Sequence, residues 1–482
     1  MRRLGHGLIS DSLVYGLGGM ASQALTIVLV PIYARQLGVA NYGTVAIVNT
    51  TLTLGSMIVS LALPQAFFRS YLNEAQDDRE RAGVLFVSLS LRLIVSALGL
   101  LLFWLAAIPI ASGLFGGPAE LTVVALIGPV IFFDTISMAP LSYLRAERRP
   151  RPYVALAFLR AVLGSALIII GVVVLHQGVL GVVAGSAVAA FVAAAAGVAL
   201  LARERRLRFT WDPRLVSHML AFSLPLVPAA VAGWGLTLSD RYLLQAMTDR
   251  TSVGIYSAGY TVGLVINALA IQPFALAWGA TYWELARRPE ARQIFARVLT
   301  WFTVVSALVA LTLSAAGTDA IRELLGTSFS PGRFVVPFSA FAYVLSGIYT
   351  ISAVGLNLKS QTRWLPLTLG VAAIGNVALN LFLIPAFGLM GAAYSTLVSY
   401  LALAVLSGLM SQRYYPIRWQ LWRVATALGL AFALAEASLL GPDQLWWRLL
   451  TILAYPPLVV LLRIVRPAEL RSLLGGLRAA RR

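Results

Sequence analysis

The chain has 482 residues, of which 59% are hydrophobic and only 12% are charged. A water-soluble protein of this length carries about twice that charged fraction, so a soluble fold is excluded and an all-α polytopic membrane protein is predicted. The 37 basic and 19 acidic residues stand mostly in short clusters between apolar runs, which favours a membrane protein over a nucleic-acid-binding one. The absence of cysteine and the scattering of three histidines exclude disulfides, thiol chemistry and a zinc site.

Apolar stretches long enough to cross the hydrocarbon core of a bilayer recur from one end of the chain to the other. From them we predict about 14 transmembrane helices. The run that starts at Leu8 is too long for the apolar core of a signal peptide, so it is interpreted as the first spanning helix. In chain order, the predicted helices lie near residues 8–34, 42–66, 83–108, 119–143, 153–175, 178–202, 217–241, 252–278, 297–316, 334–354, 364–385, 388–410, 420–440 and 446–465.

The basic residues between these helices predict the orientation of the chain. Alternate loops collect 29 basic residues on one side of the membrane and six on the other. Positive residues accumulate in cytoplasmic loops, and an even number of helices returns the chain to its starting side. We therefore predict a multi-pass protein of the cell inner (plasma) membrane with both termini in the cytoplasm.

Five pairs of identical residues, separated by 209 to 211 positions, indicate an internal repeat of six helices. The pairs are Tyr33/Tyr242, Gly43/Gly254, Tyr71/Tyr282, Gly178/Gly388 and Gly181/Gly391. An even number of helices preserves orientation, so the halves are predicted to be parallel repeats around a central cleft. The predicted parts are an N-terminal six-helix lobe at 1–205, a C-terminal six-helix lobe at 206–412, and two additional helices with a basic tail at 413–482. The glycines of the last two pairs are predicted to permit close helix contact.

Two lobes of six helices followed by two further helices resemble the MOP exporter superfamily. That superfamily includes MATE-type multidrug extruders, lipid II flippases, and flippases of the O-antigen and capsule type. Three groups of motifs are similar to its polysaccharide-biosynthesis branch. They are residues 31–38 (PIYARQLG) with 41–43 (NYG), residues 224–228 (LPLVP) with 239–242 (SDRY) and 253–256 (VGIY), and residues 375–380 (GNVALN) with 388–393 (GLMGAA).

The resemblance implies a flippase rather than an enzyme. Its substrate would be an undecaprenyl-pyrophosphate-linked oligosaccharide, carried from the cytoplasmic to the outer leaflet by alternating access for O-antigen or capsule synthesis. Membrane lipids, and other membrane proteins of polysaccharide assembly, are the remaining partners to consider, and no nucleic acid partner is expected. No cofactor or metal is predicted, and coupling to a proton or a sodium ion stays open.

Arg92, Asp134 and Arg160 lie well inside predicted spans of the N-terminal lobe, where a charge is costly and usually faces a cavity or a partner. Arg92, near mid-membrane, is interpreted either as a phosphate or sugar contact in the cleft or as the buried partner of Asp134. Asp134 is either a site for a coupling cation or proton, or the partner of Arg92 or Arg160. Arg160 lies about 10 Å inside its helix, so it either lines the cleft or reaches the interface.

Three further charges and two prolines complete the candidate site. Asp240 and Arg241, at the outer end of helix 7, either contribute to the cleft or lock that end structurally, and Arg35 at the end of helix 1 has the same two interpretations. Pro225 and Pro228 weaken the hydrogen bonding of helix 7 near its start. They are interpreted as a hinge for alternating access or as a static kink.

Three alternative functions stay open. A lipid II flippase shares the architecture and an anionic substrate. A MATE-type drug/cation antiporter would favour acidic residues in the cleft, whereas the charges well inside the spans of the N-terminal lobe are two arginines and one aspartate. A membrane-embedded glycosyltransferase or polymerase is the least favoured, because no carboxylate pair, Ser/His/Asp set or nucleotide-binding glycine loop is found.

Overall fold

The computed structural model describes residues 2–204, 209–466 and 469, and in residues 2–29 it describes the backbone alone. The helices occur in the order α1 (Arg2–Ser60), α2 (Leu63–Arg69), α3 (Asp78–Leu105), α4 (Ala107–Leu114), α5 (Leu121–Ala146), α6 (Pro150–Ile169), α7 (Gly178–Arg203), α8 (Pro213–Ser223), α9 (Val227–Met247), α10 (Arg250–Ile266), α11 (Gln272–Leu285), α12 (Ala291–Ala320), α13 (Val335–Ser352), α14 (Val354–Leu358), α15 (Trp364–Phe387), α16 (Leu389–Tyr414), α17 (Leu421–Leu440) and α18 (Leu445–Leu461). Short π or 3-10 turns lie at Ser70–Glu74, Pro118–Glu120, Ile170–Val174, Leu224–Leu226, Asn267–Ile271, Ile321–Leu325 and Thr327–Phe334.

The protein is an all-α polytopic membrane protein. From residue 30 onward, its described part contains 12 helical segments long and apolar enough to span a bilayer, from Val30–Glu74 to Leu421–Leu440. The last predicted span corresponds to α18, whose 17 residues rise only about 25 Å, less than the hydrocarbon core of about 30 Å. Most of the first predicted span, 8–34, lies where the side chains are not described. Of the 14 predicted helices, the described residues thus contain 12 segments long enough to span the membrane and one shorter helix.

The chain divides into two compact units, Met1–Gly254 and Ile255–Arg482. Within the first unit, α9 packs against α1 and α8 packs against α2. The lobe boundary predicted between residues 205 and 206 falls in the segment 205–208, which lies outside the described residues. The division into two six-helix lobes and two additional helices therefore stays a prediction.

Gly38 interrupts α1 between the first two predicted spans. Its backbone has φ 73° and ψ 171°, whereas the flanking residues are helical. A side chain at positive φ is strained, and glycine is not. The motif that ends in Gly38 therefore turns the chain from one predicted helix into the next.

Two of the four glycines predicted to permit close helix contact have another role. Gly178 and Gly388 have φ of +59° and +58°, and among the described atoms none lies within 4 Å of the place where a Cβ would stand. They are a predicted repeat pair, and each lies at the start of a helix, α7 or α16. The close-contact prediction was wrong for these two, because their backbone conformation rather than their packing calls for glycine.

The other two glycines do pack closely. A Cβ on Gly181 would stand 2.6 Å from the carbonyl carbon of Gly171. A Cβ on Gly391 would overlap the carbonyl of Leu383. These contacts join α7 to the π turn that follows α6, and α16 to α15. The prediction is confirmed at Gly181 and Gly391.

A reciprocal contact in the first unit follows the spacing of the predicted repeat. A Cβ on Gly43 would overlap the carbonyl oxygen of Arg250, and a Cβ on Gly254 would overlap the carbonyl oxygen of Val39. Val39 and Arg250 are 211 positions apart, as are Gly43 and Gly254. A contact in which each segment presents the same positions to the other is the kind that a two-fold relation produces.

Candidate functional site

A cavity of about 630 Å³ lies within the first unit. It is bounded by α1, α2, α5, α6, α7 and the beginning of α9. Small polar side chains, including Ser56, Ser60 and Gln65, alternate on its wall with apolar ones. The charged residues on the wall are Asp134 of α5 and Arg160 of α6.

Asp134 and Arg160 form a two-pronged ion pair on the cavity wall. Nε of Arg160 donates to Oδ1 of Asp134 at 3.0 Å, and Nη2 donates to Oδ2 at 3.2 Å. The Arg160 and Asp134 side chains are 28% and 30% exposed, so the pair is accessible from the cavity. Of the partners predicted for Asp134, the structure therefore selects Arg160, and Arg160 lines a cavity.

Arg92 of α3 is buried without a carboxylate partner in the described part of the chain. Its Nη1 donates to the carbonyl oxygen of Thr135 at 3.5 Å, a long hydrogen bond. Nε and Nη2 have no described partner, and neither do the buried hydroxyls of Ser88 and Thr135. A guanidinium keeps its charge, and Thr135 lines the cavity. A positive charge therefore lies directly behind the cavity wall, and it does not pair with Asp134.

A second cavity of about 240 Å³ also lies in the first unit and is lined by Tyr33, Asn49 and Ser186 among others. Arg160 lines this cavity as well as the larger one. Arg160 is a site candidate from the sequence, whereas Tyr33 is named there only as a repeat position. Asn49 was missed, as was Gln65 of the larger cavity, although a side-chain amide within the predicted span 42–66 is a signal that could have found both.

Asp240, Arg241 and Arg35 line neither of these two cavities. Arg241 donates to Oδ1 of Asp240 at 2.8 Å and to the carbonyl of Thr237 at 3.1 Å, and both charged side chains are buried. Arg35 is exposed. The geometry thus brings Arg160 and Asp134 together at one cavity and leaves these three charges elsewhere.

Pro225 and Pro228 lie where the helix predicted at 217–241 breaks. A 3-10 turn at Leu224–Leu226 separates α8 from α9, as expected from prolines that remove backbone donors. The segments on either side are held by the first unit: His218 of α8 contacts Glu74 at 3.0 Å, and Tyr242 of α9 hydrogen-bonds Thr51 at 2.7 Å. The break in the helix at Leu224–Leu226 therefore lies between two helices, α8 and α9, that each contact another part of the first unit.

The model of the family described as "Polysaccharide biosynthesis protein" matches residues 8–278. That is more than half of the chain. The chain belongs to the polysaccharide biosynthesis protein family. A curated relative, "Lsg locus putative protein 1" of Haemophilus influenzae (strain ATCC 51907 / DSM 11121 / KW20 / Rd), is 22% identical over 356 residues, which cover 71% of this chain and 83% of the relative.

Solved structures show that this family member has the fold of MOP-superfamily transporters. The chain is similar to the lipid II flippase MurJ in an inward closed conformation, with a TM-score of 0.73 and 14% identity over 93% of this chain and 97% of the other. An inward-facing multidrug resistance MATE transporter of the MOP superfamily gives a TM-score of 0.62, again at 14% identity, over 84% and 95%. The predicted polysaccharide-biosynthesis family is confirmed by the family match, and the predicted MOP-like fold is confirmed by the solved structures.

The family match contains all the residues that line the two cavities of the first unit. It also contains Arg92, Arg35, the Asp240–Arg241 pair and both prolines. All the site candidates predicted from the sequence thus lie in the part of the chain that belongs to the polysaccharide biosynthesis family.

Proposed function

We propose that this protein is a flippase for a lipid-linked oligosaccharide carried on undecaprenyl pyrophosphate, acting by alternating access in the inner membrane for cell-surface polysaccharide synthesis. The observation that carries the proposal is the guanidinium of Arg160 on the wall of a cavity in the family-matched region. Arginine presents a planar set of donors that suits phosphate oxygens, and the carboxylate it now holds is a ligand of similar geometry.

The cavity supports the proposal in size and chemistry. Its volume of about 630 Å³ falls among ligand sites of roughly 300–1,000 Å³. Hydroxyl and amide groups on its wall suit a sugar. The charge of Arg92, directly behind the wall at Thr135, makes the region more favourable for an anion. We propose Arg160 and Arg92 as the groups that attract the pyrophosphate, with Asp134 as the internal counter-ion of Arg160.

The direct experiment measures export of the glycan in cells that lack the gene. Arg160→Ala should abolish surface polysaccharide while the protein accumulates normally, and Arg160→Lys should restore export only in part, because it keeps the charge but loses the planar fork. Arg149→Ala is the matched control, since Nη1 of Arg149 donates to both carboxylate oxygens of Glu204 in an ion pair away from both cavities. Normal export with Arg160→Ala would contradict the role of Arg160.

A lipid II flippase is the second candidate, favoured by the structural likeness to MurJ over 93% of the chain. Lipid II also carries a pyrophosphate, so the arginine argument does not separate the two. Expression of this chain in cells depleted of their lipid II flippase decides between them. Rescue of growth would replace the proposed oligosaccharide substrate, and continued lysis would favour it.

We also propose that both termini lie in the cytoplasm, from the distribution of basic residues. A reporter that is active only outside the cytoplasm should be active when fused after Gly317 and silent when fused after Pro150. The opposite result would reverse the topology. Coupling to a proton or a sodium ion stays an open part of the proposal, and Asp134 is its candidate only when Arg160 releases it.

A further inference from the structure

The two cavities of the first unit meet at Arg160. Ala157 and Arg160 line both of them. Further along α6, Gly164, Ser165 and Ile168 line only the smaller cavity, whereas Leu156 lines only the larger one. The cavities therefore follow one another along α6, and a single guanidinium stands at their junction.

The three nitrogens of this guanidinium are divided between the two sides. Nε and Nη2 are held by Asp134, which lines only the larger cavity. Nη1 has no hydrogen-bond acceptor among the described residues, and it lies where a Cβ on Gly164 would be 3.0 Å away. Gly164 belongs to the wall of the smaller cavity. The side chain thus contacts both cavities while Asp134 holds it in one position.

Polar groups continue on both sides of the junction. Ser56 and Ser60 line the larger cavity, and Asn49, Ser165 and Ser186 line the smaller one. Within predicted membrane spans, polar side chains are costly unless they face a partner or a water-filled space. The two cavities and the pair between them therefore form one interrupted polar route through the first unit.

We propose that the Asp134–Arg160 pair is a gate between the two cavities, and that a phosphate group in the larger cavity opens it by replacing the Asp134 carboxylate on Arg160. Phosphate and carboxylate both accept two parallel hydrogen bonds from a guanidinium, so one can displace the other without a new binding site. Both side chains are partly exposed to the cavity, which gives the incoming group access. This inference rests on the proposed function, which supplies the pyrophosphate.

The experiment uses single cysteines in a chain that has none of its own. Ser56→Cys reports on the larger cavity and Ser186→Cys on the smaller one, and both serines are half-buried. A charged, membrane-impermeant thiol reagent is added to membrane vesicles of either orientation, and the labelling rate is measured from each side. With the pair intact, we expect each cysteine to react faster from a different side.

Removing both charges should connect the cavities. In the double variant Asp134→Asn/Arg160→Gln, each cysteine should react up to about fivefold faster from its slow side. A factor of about five corresponds to the free energy that a solvent-accessible ion pair contributes. The matched control Arg149→Gln/Glu204→Gln removes another Arg–carboxylate ion pair of the same unit and should leave both rates unchanged. Equal rates in the double variant and the parent, or an equal rise in the control, would overturn the gate.

Inorganic pyrophosphate tests the opening step. Added on the side from which Ser56→Cys reacts, it should raise the slow-side labelling of Ser186→Cys in the parent and have no effect in the double variant. Loss of this response in the parent would overturn opening by phosphate. None of these measurements uses the glycan, so they test the gate separately from the proposed function. If the cysteines are labelled as expected but the protein exports no polysaccharide, the proposed function is contradicted and the gate is not.

Discussion

The two units contain cavities of similar size and opposite chemistry. The larger cavity of the first unit, about 630 Å³, has the Asp134–Arg160 pair on its wall. The cavity of the second unit, about 530 Å³, lies among α12, α13, α16 and α17 and is lined almost entirely by apolar side chains. One of its few polar residues, Gln412, is bound to the backbone of Ile417 on both its donor and its acceptor side. Size alone therefore does not indicate what a cavity in this fold accepts.

The buried polar groups differ in the same way. The first unit buries the charge of Arg92 with two donors unpartnered among the described residues. The second unit also buries arginines, but Arg423 pairs with Glu469, and Arg448 pairs with Asp319 and Asp443. Its buried amides are bonded as well: Asn376 donates to Ser399 at 3.2 Å, and Asn380 donates to Oδ1 of Asn376 at 3.0 Å. An unpaired buried charge costs far more than a bonded amide. The first unit thus bears a cost that packing does not require, which is typical of a functional site.

The largest expected effect separates Arg92 from Asn376. Arg92→Leu removes an uncompensated charge, so it should leave the free energy of unfolding unchanged or raise it by about 1–4 kcal/mol, while export is lost. Asn376→Leu removes the side-chain hydrogen bonds to Ser399 and Asn380, each of which keeps only a backbone partner, and should lower the free energy of unfolding by about 1–3 kcal/mol. Thermal unfolding in detergent measures both. A destabilised Arg92→Leu protein would mean that Arg92 is structural.

The close glycine contacts should be equally sensitive in the two units. Gly181→Ala and Gly391→Ala each press a methyl group against backbone and should lower the free energy of unfolding by about 1–3 kcal/mol. Gly113→Ala and Gly375→Ala are the matched controls, because no heavy atom of the described chain lies within 4 Å of a Cβ there. These helical controls should gain up to about 1 kcal/mol. A loss confined to one unit would show that the two units pack differently.

Adding apolar bulk to each cavity should have opposite consequences. Gly429 faces open space on the wall of the apolar cavity, so Gly429→Leu should be neutral or stabilising by up to about 1 kcal/mol. Ser60→Leu places the same bulk in the polar cavity and should reduce export at an unchanged protein level. Export measured beside abundance checks both. Equal export from the two variants would remove the functional distinction between the cavities.

The smallest effect concerns a pair at the C-terminal end of the second unit. Partial burial raises the pKa of the Glu469 carboxyl, but hydrogen bonds from the Arg466 N–H and from Arg423 outweigh it, so the pKa is lowered overall. A lowered folded-state pKa means that the pair stabilises above the unfolded pKa and that this stability is lost as the pH falls through the folded value. The loss should stay below about 1 kcal/mol. Glu469→Gln should abolish this part of the pH dependence of unfolding, and an unchanged profile would contradict it.

The sequence predicts the helices well because the length of an apolar run that crosses the membrane is set by the thickness of the hydrocarbon core. The predicted span at 420–440 is α17 almost residue for residue. The glycine at a turn is harder to recognise, since Gly178 and Gly181 look alike in the sequence and differ only in backbone conformation. Motifs such as residues 31–38 indicate the family because their order is preserved over long spacings.

The sequence identifies the charged residues around the larger cavity, but it leaves their pairing open. Arg92, Asp134 and Arg160 are visible as charges within apolar runs, but which arginine meets Asp134 depends on the rotation of three helices. A rotation by one residue, about 100°, is enough to exchange the partners. The cavities are harder still to predict, because a cavity is defined by side chains from several helices at once.

The reciprocal contact of Gly43 and Gly254 has a consequence for the gene. Neither position has room for a carbon atom beyond Cα, because the carbonyl groups of Arg250 and Val39 occupy that space. Every missense change of a glycine codon adds at least a Cβ. A substitution at either of these two codons, which are 211 positions apart, therefore produces a steric clash at the same contact. Selection on this one contact therefore acts on both halves of the gene. A substitution at one glycine cannot be compensated by a substitution at its repeat counterpart, because that position has no space either.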